Sequence, residues 1–379
     1  MKGKQGLVCM GLLLVLSSCS CHTGKQITAS GLQRKDFQTE VNGQHTDLFT
    51  LSNKQGMEVC ITNYGARVVS ILVPDRNGKR EDVVCGFSTI TEYMEQRQNF
   101  GSTVGRYIGR ILNARFTLDG VEYKLVPNNG KSGHISHGGN PGFADRIWKV
   151  EQADTHRVRL SYLSPDGENG FPGNLKVTLV YSLGEDDNAL DLTYEATTDA
   201  PTVLNLSHHS FFNISGNFTK SVEDQQLWVD ADRFTPYDDK KCVTGEYLPV
   251  AGTPLDFCMP HTIGECIDAD HPQLKVVNGY DHTWELNTKG DDTRPAAWVY
   301  DPASGRKMEI FTTEPGMQIY TGNGLKGKMT GKRGIAYPFR SAVCFETMHF
   351  QDSPNQPGFP STVLRPGEVF RSHTVYKFE

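Results

Sequence analysis

Two polar clusters interrupt otherwise strand-like sequence. Asn205-Leu-Ser-His-His-Ser-Phe-Phe-Asn213 sets two imidazoles side by side among aromatic residues, and Ala342-Val-Cys-Phe-Glu-Thr-Met-His-Phe350 places one carboxylate in an apolar run. Burying an unpaired charge costs several kcal/mol or shifts its pKa until the group is neutral. Residues kept at that cost are candidates for chemistry, and the pair singled out is His209 with Glu346. An imidazole facing a carboxylate across a pocket can move a proton on and off a neutral molecule. At ordinary values a glutamate near 4.3 is ionised at neutral pH and an imidazole near 6.5 is about one quarter protonated, more beside a carboxylate. The competing structural readings are a buried salt bridge for Glu346 and a hydrogen-bonded core imidazole for His209.

Arg110 carries a five-donor fork and Asp281 a pair of acceptors, types that suit vicinal hydroxyls. His137 follows the flexible Gly130-Lys-Ser-Gly-His-Ile-Ser136 and precedes Gly138-Gly139, where backbone can approach a ligand closely. Tyr64, Trp148, Phe211, Phe212 and Trp284 could stack on a ring, but most aromatic residues serve the core and none is assigned to the site.

The elements that must position these groups are strands. Val158, Leu160 and Tyr162 alternate with polar residues, as do Leu175, Val177, Leu179 and Tyr181, and then Leu190, Leu192 and Tyr194. Turn sequences such as Asp75-Arg-Asn-Gly78, Asn128-Asn-Gly130 and Arg365-Pro-Gly367 separate them. Only Thr89 to Arg97 reads as a helix, capped by Ser88 or Thr89. The fold class is therefore all-β, a large antiparallel sandwich with very little helix.

The N-terminus reads differently. Lys2 and Lys4 precede the apolar run Leu7 to Leu16, which is too short to span a bilayer comfortably. Leu16-Ser17-Ser18-Cys19 resembles the lipobox of bacterial lipoproteins, which implies cleavage before Cys19 and lipid attachment to it. The expected division is a signal peptide over 1–18, a polar tether over 19–40 and one catalytic domain over 41–379. Export to the bacterial cell envelope follows, with the lipid anchor facing the periplasm or the cell surface. With a formal charge of −6 and no basic block, nucleic acid is not an expected partner, and the membrane is one only through the anchor. A monomer is expected. Of nine cysteines, Cys9, Cys19 and Cys21 lie in or beside the signal, and the other six show no CxxC spacing, so thiolate metal binding is not expected. Cys242 could pair with Cys258 or Cys266 in an oxidising compartment; buried free thiols are the default.

Read in order, the local segments resemble the aldose 1-epimerases, or galactose mutarotases. Thr62-Asn-Tyr-Gly-Ala-Arg67, Gly105-Arg-Tyr-Ile-Gly-Arg-Ile111, His137-Gly-Gly139 and Ser164-Pro-Asp-Gly-Glu-Asn-Gly-Phe-Pro-Gly-Asn-Leu175 are four of them. Asn205 to Asn213, Gly279-Tyr-Asp-His282, Gln318-Ile-Tyr-Thr-Gly322 and Cys344 to Phe350 continue the series, and the resemblance covers residues 45–379. It implies the mutarotase supersandwich, with Glu346 as base, His209 as acid, and His137, Arg110, Asp281 and Gln318 as sugar-binding residues. The chain departs from the family pattern at Gly109, where an Asn is usual, and at His208 and Phe211.

The function expected is acid–base interconversion of the α and β anomers of free aldohexoses such as galactose and glucose. No cofactor is required, and surface carboxylates are numerous enough for a structural calcium ion. No phosphate loop or dinucleotide fingerprint is present, so phosphorylated substrates and NAD have no support. The alternative is a membrane-tethered carbohydrate-binding protein without turnover, which needs Arg110, Asp281 and His137 but not His209 and Glu346 together. A glycoside hydrolase or lyase would want two carboxylates about 5–10 Å apart, and only Asp281 could serve as the second.

Overall fold

The computed structural model describes residues 26–379. The signal peptide reading and Cys19 lie outside the described residues. The alternating segments form a nine-stranded antiparallel sheet in the order Lys149–Ala153, Arg157–Ser164, Leu175–Leu183, Ala189–Thr198, Phe370–Phe378, Lys307–Thr312, Ala297–Tyr300, Gln226–Val229 and His261–Thr262. Period two explains its faces: Val158, Leu160, Val177, Leu179, Leu190 and Leu192 are fully buried, while Arg157 and Lys176 point outward. Each such aliphatic side chain contributes about 1.5–3 kcal/mol on leaving water.

A six-stranded sheet packs across the same core, ordered Phe211–Phe212, Val343–Met348, Gly316–Tyr320, Asp281–Glu285, Arg233–Thr235 and Leu248–Pro249. Val343, Phe345, Met317, Ile319 and Trp284 share one hydrophobic cluster with the nine-stranded sheet. Their sequence neighbours Cys344, Glu346 and Gln318, and Asp281 three positions before Trp284, must then face the other way. A four-stranded sheet, Leu48–Ser52, Glu58–Thr62, Arg67–Pro74 and Arg80–Asp82, adds Val59, Ile61, Val68 and Ile71 to that cluster.

The expected helix forms as Ile90–Gln96. Thr89 caps it: its hydroxyl accepts from the Glu92 amide at 3.2 Å, and the Glu92 carboxylate accepts from the Thr89 amide at 2.9 Å. A second short helix, Pro272–Val277, was not expected; at six residues it is too short to show a 3.6-residue period.

One expectation changes. Residues 26–40 do not behave as free tether: Ile27 bridges Gln33, and Leu32 and Phe37 bury themselves in a second cluster with Val69, Phe87 and Phe100. Two isolated apolar residues in a polar stretch give no period, and the surface that covers them comes from elsewhere in the chain. The six cysteines among the described residues are all free, which is the default reading, and Cys242 pairs with neither Cys258 nor Cys266; Cys60, Cys85 and Cys344 are buried and the other three partly so.

Candidate active site

The outward face of the six-stranded sheet forms the floor of a cleft of about 250 Å³. Its register aligns two rows of side chains. Phe211, Cys344, Tyr320 and Asp281 lie opposite one another on successive strands, and Glu346, Gln318 and Thr283 form the adjacent row. Residues two apart on a strand share a face, so Cys344 with Glu346, and Gln318 with Tyr320, follow from one register.

His209 reaches this floor from the Ser207–His209 strand, which pairs with Ser102–Val104 and leads directly into Phe211. Its Nε2 lies 3.4 Å from Glu346 Oε1, and both side chains are nearly withdrawn from water. Phe211 stacks on the imidazole at 5.0 Å, and Cys344 Sγ sits 3.6 Å from Nδ1. His208 turns to the core, as expected for its neighbour on a strand. Its Nε2 is 2.7 Å from the Ser210 hydroxyl and its Nδ1 3.5 Å from that of Tyr181.

Burial reverses the ordinary electrostatics of the pair. Desolvation pushes Glu346 well above the usual carboxylate range, and the nearby Asp281 adds to the rise. Desolvation and the adjacent His137 push His209 well below the usual imidazole range. The neutral forms are favoured in both cases, which brings the two proton affinities towards each other.

His137 occupies a left-handed position at φ 52° just after the Ile135–Ser136 strand. Its amide donates to the Gly109 carbonyl at 2.9 Å, and the Gly109 amide donates to its Nδ1 at 3.4 Å. Burial and the Arg110 charge lower it to about 4. It is therefore neutral at pH 7, with its proton on Nε2 available to a ligand oxygen. A Cβ on Gly138 would lie 1.9 Å from the Gly105 carbonyl oxygen, so this turn needs glycine there.

Asp281 accepts from Gln318 Nε2 at 2.6 Å, and burial raises its pKa against the pull of Arg110. Arg110 starts a short strand paired with Ile135–Ser136, the strand just before His137, and one of its guanidinium nitrogens donates to the Lys241 carbonyl at 3.3 Å. All six residues singled out from the sequence thus line one cleft.

Phe211, Tyr320, Met348 and Gln351 also line it and were missed. Alternation from Gln318 and Glu346 could have found Tyr320 and Met348. Gln351 lies beyond the end of its strand, where no period applies. Trp148 and Trp284 are core residues, fully buried.

His209, Cys344 and Glu346 bring donor atoms within 4.8 Å of one another, which is a possible metal-binding group among the described residues. The chemistry fits an ion poorly. Burial and the Glu346 charge push the Cys344 thiol well above its usual range, opposing the thiolate a metal needs. Sulfur and carboxylate also make their nearest approaches to opposite nitrogens of the imidazole.

Comparison with known proteins agrees with this geometry. Residues 47–377 match the model of the aldose 1-epimerase family. The chain is 38% identical over 330 residues to galactose mutarotase of Sus scrofa, covering 87% of this chain and 93% of that one. It is 36% identical over 340 residues to aldose 1-epimerase of Escherichia coli K12, covering 89% and 96%. Among solved structures, an aldose epimerase homologue from C. elegans superposes with a TM-score of 0.81 at 30% identity, over 88% of this chain and 99% of that one.

Proposed function

The chain belongs to the aldose 1-epimerase family and is an isomerase that interconverts sugar anomers, and we propose that it does so on free aldohexoses with Glu346 as base and His209 as acid. The 3.4 Å approach of His209 Nε2 to Glu346 Oε1 inside a cleft carries this reading. Ring opening needs one proton removed from the anomeric hydroxyl and one delivered to the ring oxygen. Glu346 takes the first as His209 gives the second, and the bond from the anomeric carbon to the ring oxygen breaks to leave an open aldehyde. Rotation about the adjacent carbon–carbon bond presents the other face, and the same transfers in reverse close the ring.

Burial of the pair suits this cycle. The closed sugar meets charged His209 and Glu346, and the open aldehyde meets both neutral. A site that destabilises the charged forms brings those two states closer in energy, which is the condition under which proton transfer is efficient. His137 donates to the ring oxygen or the anomeric hydroxyl, and Arg110, Asp281 and Gln318 hold the remaining hydroxyls. The chain's own side chains supply every proton, so the reaction requires no cofactor.

The test is polarimetry of freshly dissolved α-glucose and α-galactose with wild type, Glu346→Gln and His209→Asn. Each variant should lose at least about 10²-fold in kcat, the scale of one general acid or base. Sugar binding by the wild type with anomer exchange at the background rate would instead favour capture without turnover.

We also propose that the enzyme is exported in a bacterium and tethered to the cell envelope by lipid on Cys19. The basic start, the short apolar run and Leu16-Ser-Ser-Cys19 support this. Two or more acyl chains, at about 0.8 kcal/mol per buried methylene, would give stable anchoring. Cys19→Ala should move the protein from the membrane fraction to the soluble one; a variant still retained on membranes would count against it.

A further inference from the structure

Gly109 and Gln351 occupy the same piece of the cleft wall. Gly109 has φ +74°, and a Cβ placed on it would lie 2.6 Å from Gln351 Cγ and 3.1 Å from Cδ. The absence of a side chain at 109 is thus what admits the Gln351 side chain, which is 5% exposed and faces the cleft. Once there, its amide ties together two parts of the site that come from distant segments. Its Oε1 accepts from the Arg110 backbone amide at 3.3 Å. Its Nε2 donates to the Tyr237 hydroxyl at 2.7 Å and to Gln318 Oε1 at 3.3 Å. Gln318 in turn donates to Asp281 at 2.6 Å.

Each amide in this relay has its direction set by the next. The Gln318 carbonyl accepts from Thr283 and Gln351, so its nitrogen must face Asp281 and donate. That arrangement leaves the second oxygen of Asp281 and one lone pair of Gln351 Oε1 as acceptors for hydroxyls of a bound molecule. Among the described residues the Gln351 side chain bonds to Arg110, Tyr237 and Gln318 and to neither His209 nor Glu346, so its influence falls on binding rather than on proton transfer.

We infer that Gln351, admitted by Gly109, is the positioning and specificity-determining residue for the hydroxyls that Arg110, Asp281 and Gln318 recognise. The inference rests on this cleft being the site of anomer exchange. Removing the amide releases Gln318 from its fixed orientation and frees the Arg110 backbone, so sugars should bind less tightly while the acid–base pair still works once they are bound.

The test uses the full-length protein with α-glucose and α-galactose, measuring KM and kcat by polarimetry. Gln351→Met keeps the volume and loses the amide. It should raise KM by about 10-fold, the scale of a lost buried hydrogen bond or two, with kcat within about 3-fold of wild type. It should also change the ratio of kcat/KM between the two sugars, since they differ in the disposition of one hydroxyl. Gln351→Ala should do the same and leave room at 109.

The deciding variant is Gly109→Asn. Asn is the side chain that best tolerates positive φ, yet alone it meets Gln351 and should raise KM. Combined with Gln351→Ala, where the remaining contact is the ordinary 3.4 Å to Cβ, it should leave KM within about 3-fold of Gln351→Ala alone, because the side chain it would meet is gone. A double variant as poor as the two single effects combined would overturn the inference, as would an unchanged KM and unchanged sugar preference in Gln351→Met. A loss of kcat in Gln351→Met with KM unchanged would also overturn it. Wild-type protein without anomer exchange would instead remove the reading of the cleft on which this one rests.

Discussion

His209 Nε2 and Glu346 Oε1 stand 3.4 Å apart, with the two side chains 7% and 5% exposed. At that separation, and with so little water, the two groups titrate as one unit that holds a single proton. The consequences of this sharing are measurable.

On the acid–base roles proposed for them, anomer exchange needs the pair to carry one proton. A second proton enters only below the depressed His209 value, and the first leaves only above the raised Glu346 value. The acid limb of kcat against pH should therefore follow titration of the His209 imidazole and the alkaline limb that of the Glu346 carboxyl, the reverse of the order that ordinary values would set. Polarimetric kcat from about pH 4 to about pH 9, beside NMR titration of the two side chains, tests this. An imidazole that titrates on the alkaline limb would contradict it.

Glu346 should cost the fold what it gives the chemistry. A carboxyl whose pKa is raised on folding stabilises only below its unfolded value, and that contribution is lost as pH rises. Above pH 4.5 the folded state is therefore penalised, and Glu346→Gln should remove the penalty. Thermal unfolding should show the variant melting higher by roughly 2 °C or more near neutral pH, with the gap widening from about pH 5 to about pH 8. Equal melting temperatures across that range would mean that Glu346 is not strained.

His208 should make the fold acid-sensitive without touching catalysis. Burial lowers it to about 3, so between that value and 6.5 the unfolded chain binds a proton that the folded one does not. Stability should fall as pH drops through this window, by about 1.4 kcal/mol per pH unit for one such group. His208→Gln should flatten the urea-unfolding free energy between pH 6 and 4 relative to wild type, with kcat within about 3-fold. An unaltered slope would show that the imidazole titrates normally.

Much of the architecture was readable from residue order alone. Alternation at Val158, Leu160 and Tyr162, and again from Leu175 to Tyr181, decides which face of each strand is buried, because side chains on a strand point to opposite sides in turn. Several of the segments that carry the family resemblance turn out to be joints. Arg106 donates to the carbonyls of Ser164, Pro165, Pro172 and Gly173, so two of those segments hold each other. Arg67 does the same for Gln98, Phe100 and Ala144. Such pairings unite residues with no local signal between them.

Sequence order thus determined several of the strands, the capped helix at Thr89 and the six side chains that the fold brings to one cleft. Tertiary structure decided their electrostatics, because desolvation depends on what surrounds a group and not on its neighbours in the chain. Ordinary values make Glu346 ionised and His209 partly charged; burial moves both towards neutrality. It also decided the role open to Gln351. The space that side chain fills is left by a glycine on a distant segment, and only folding brings the two together.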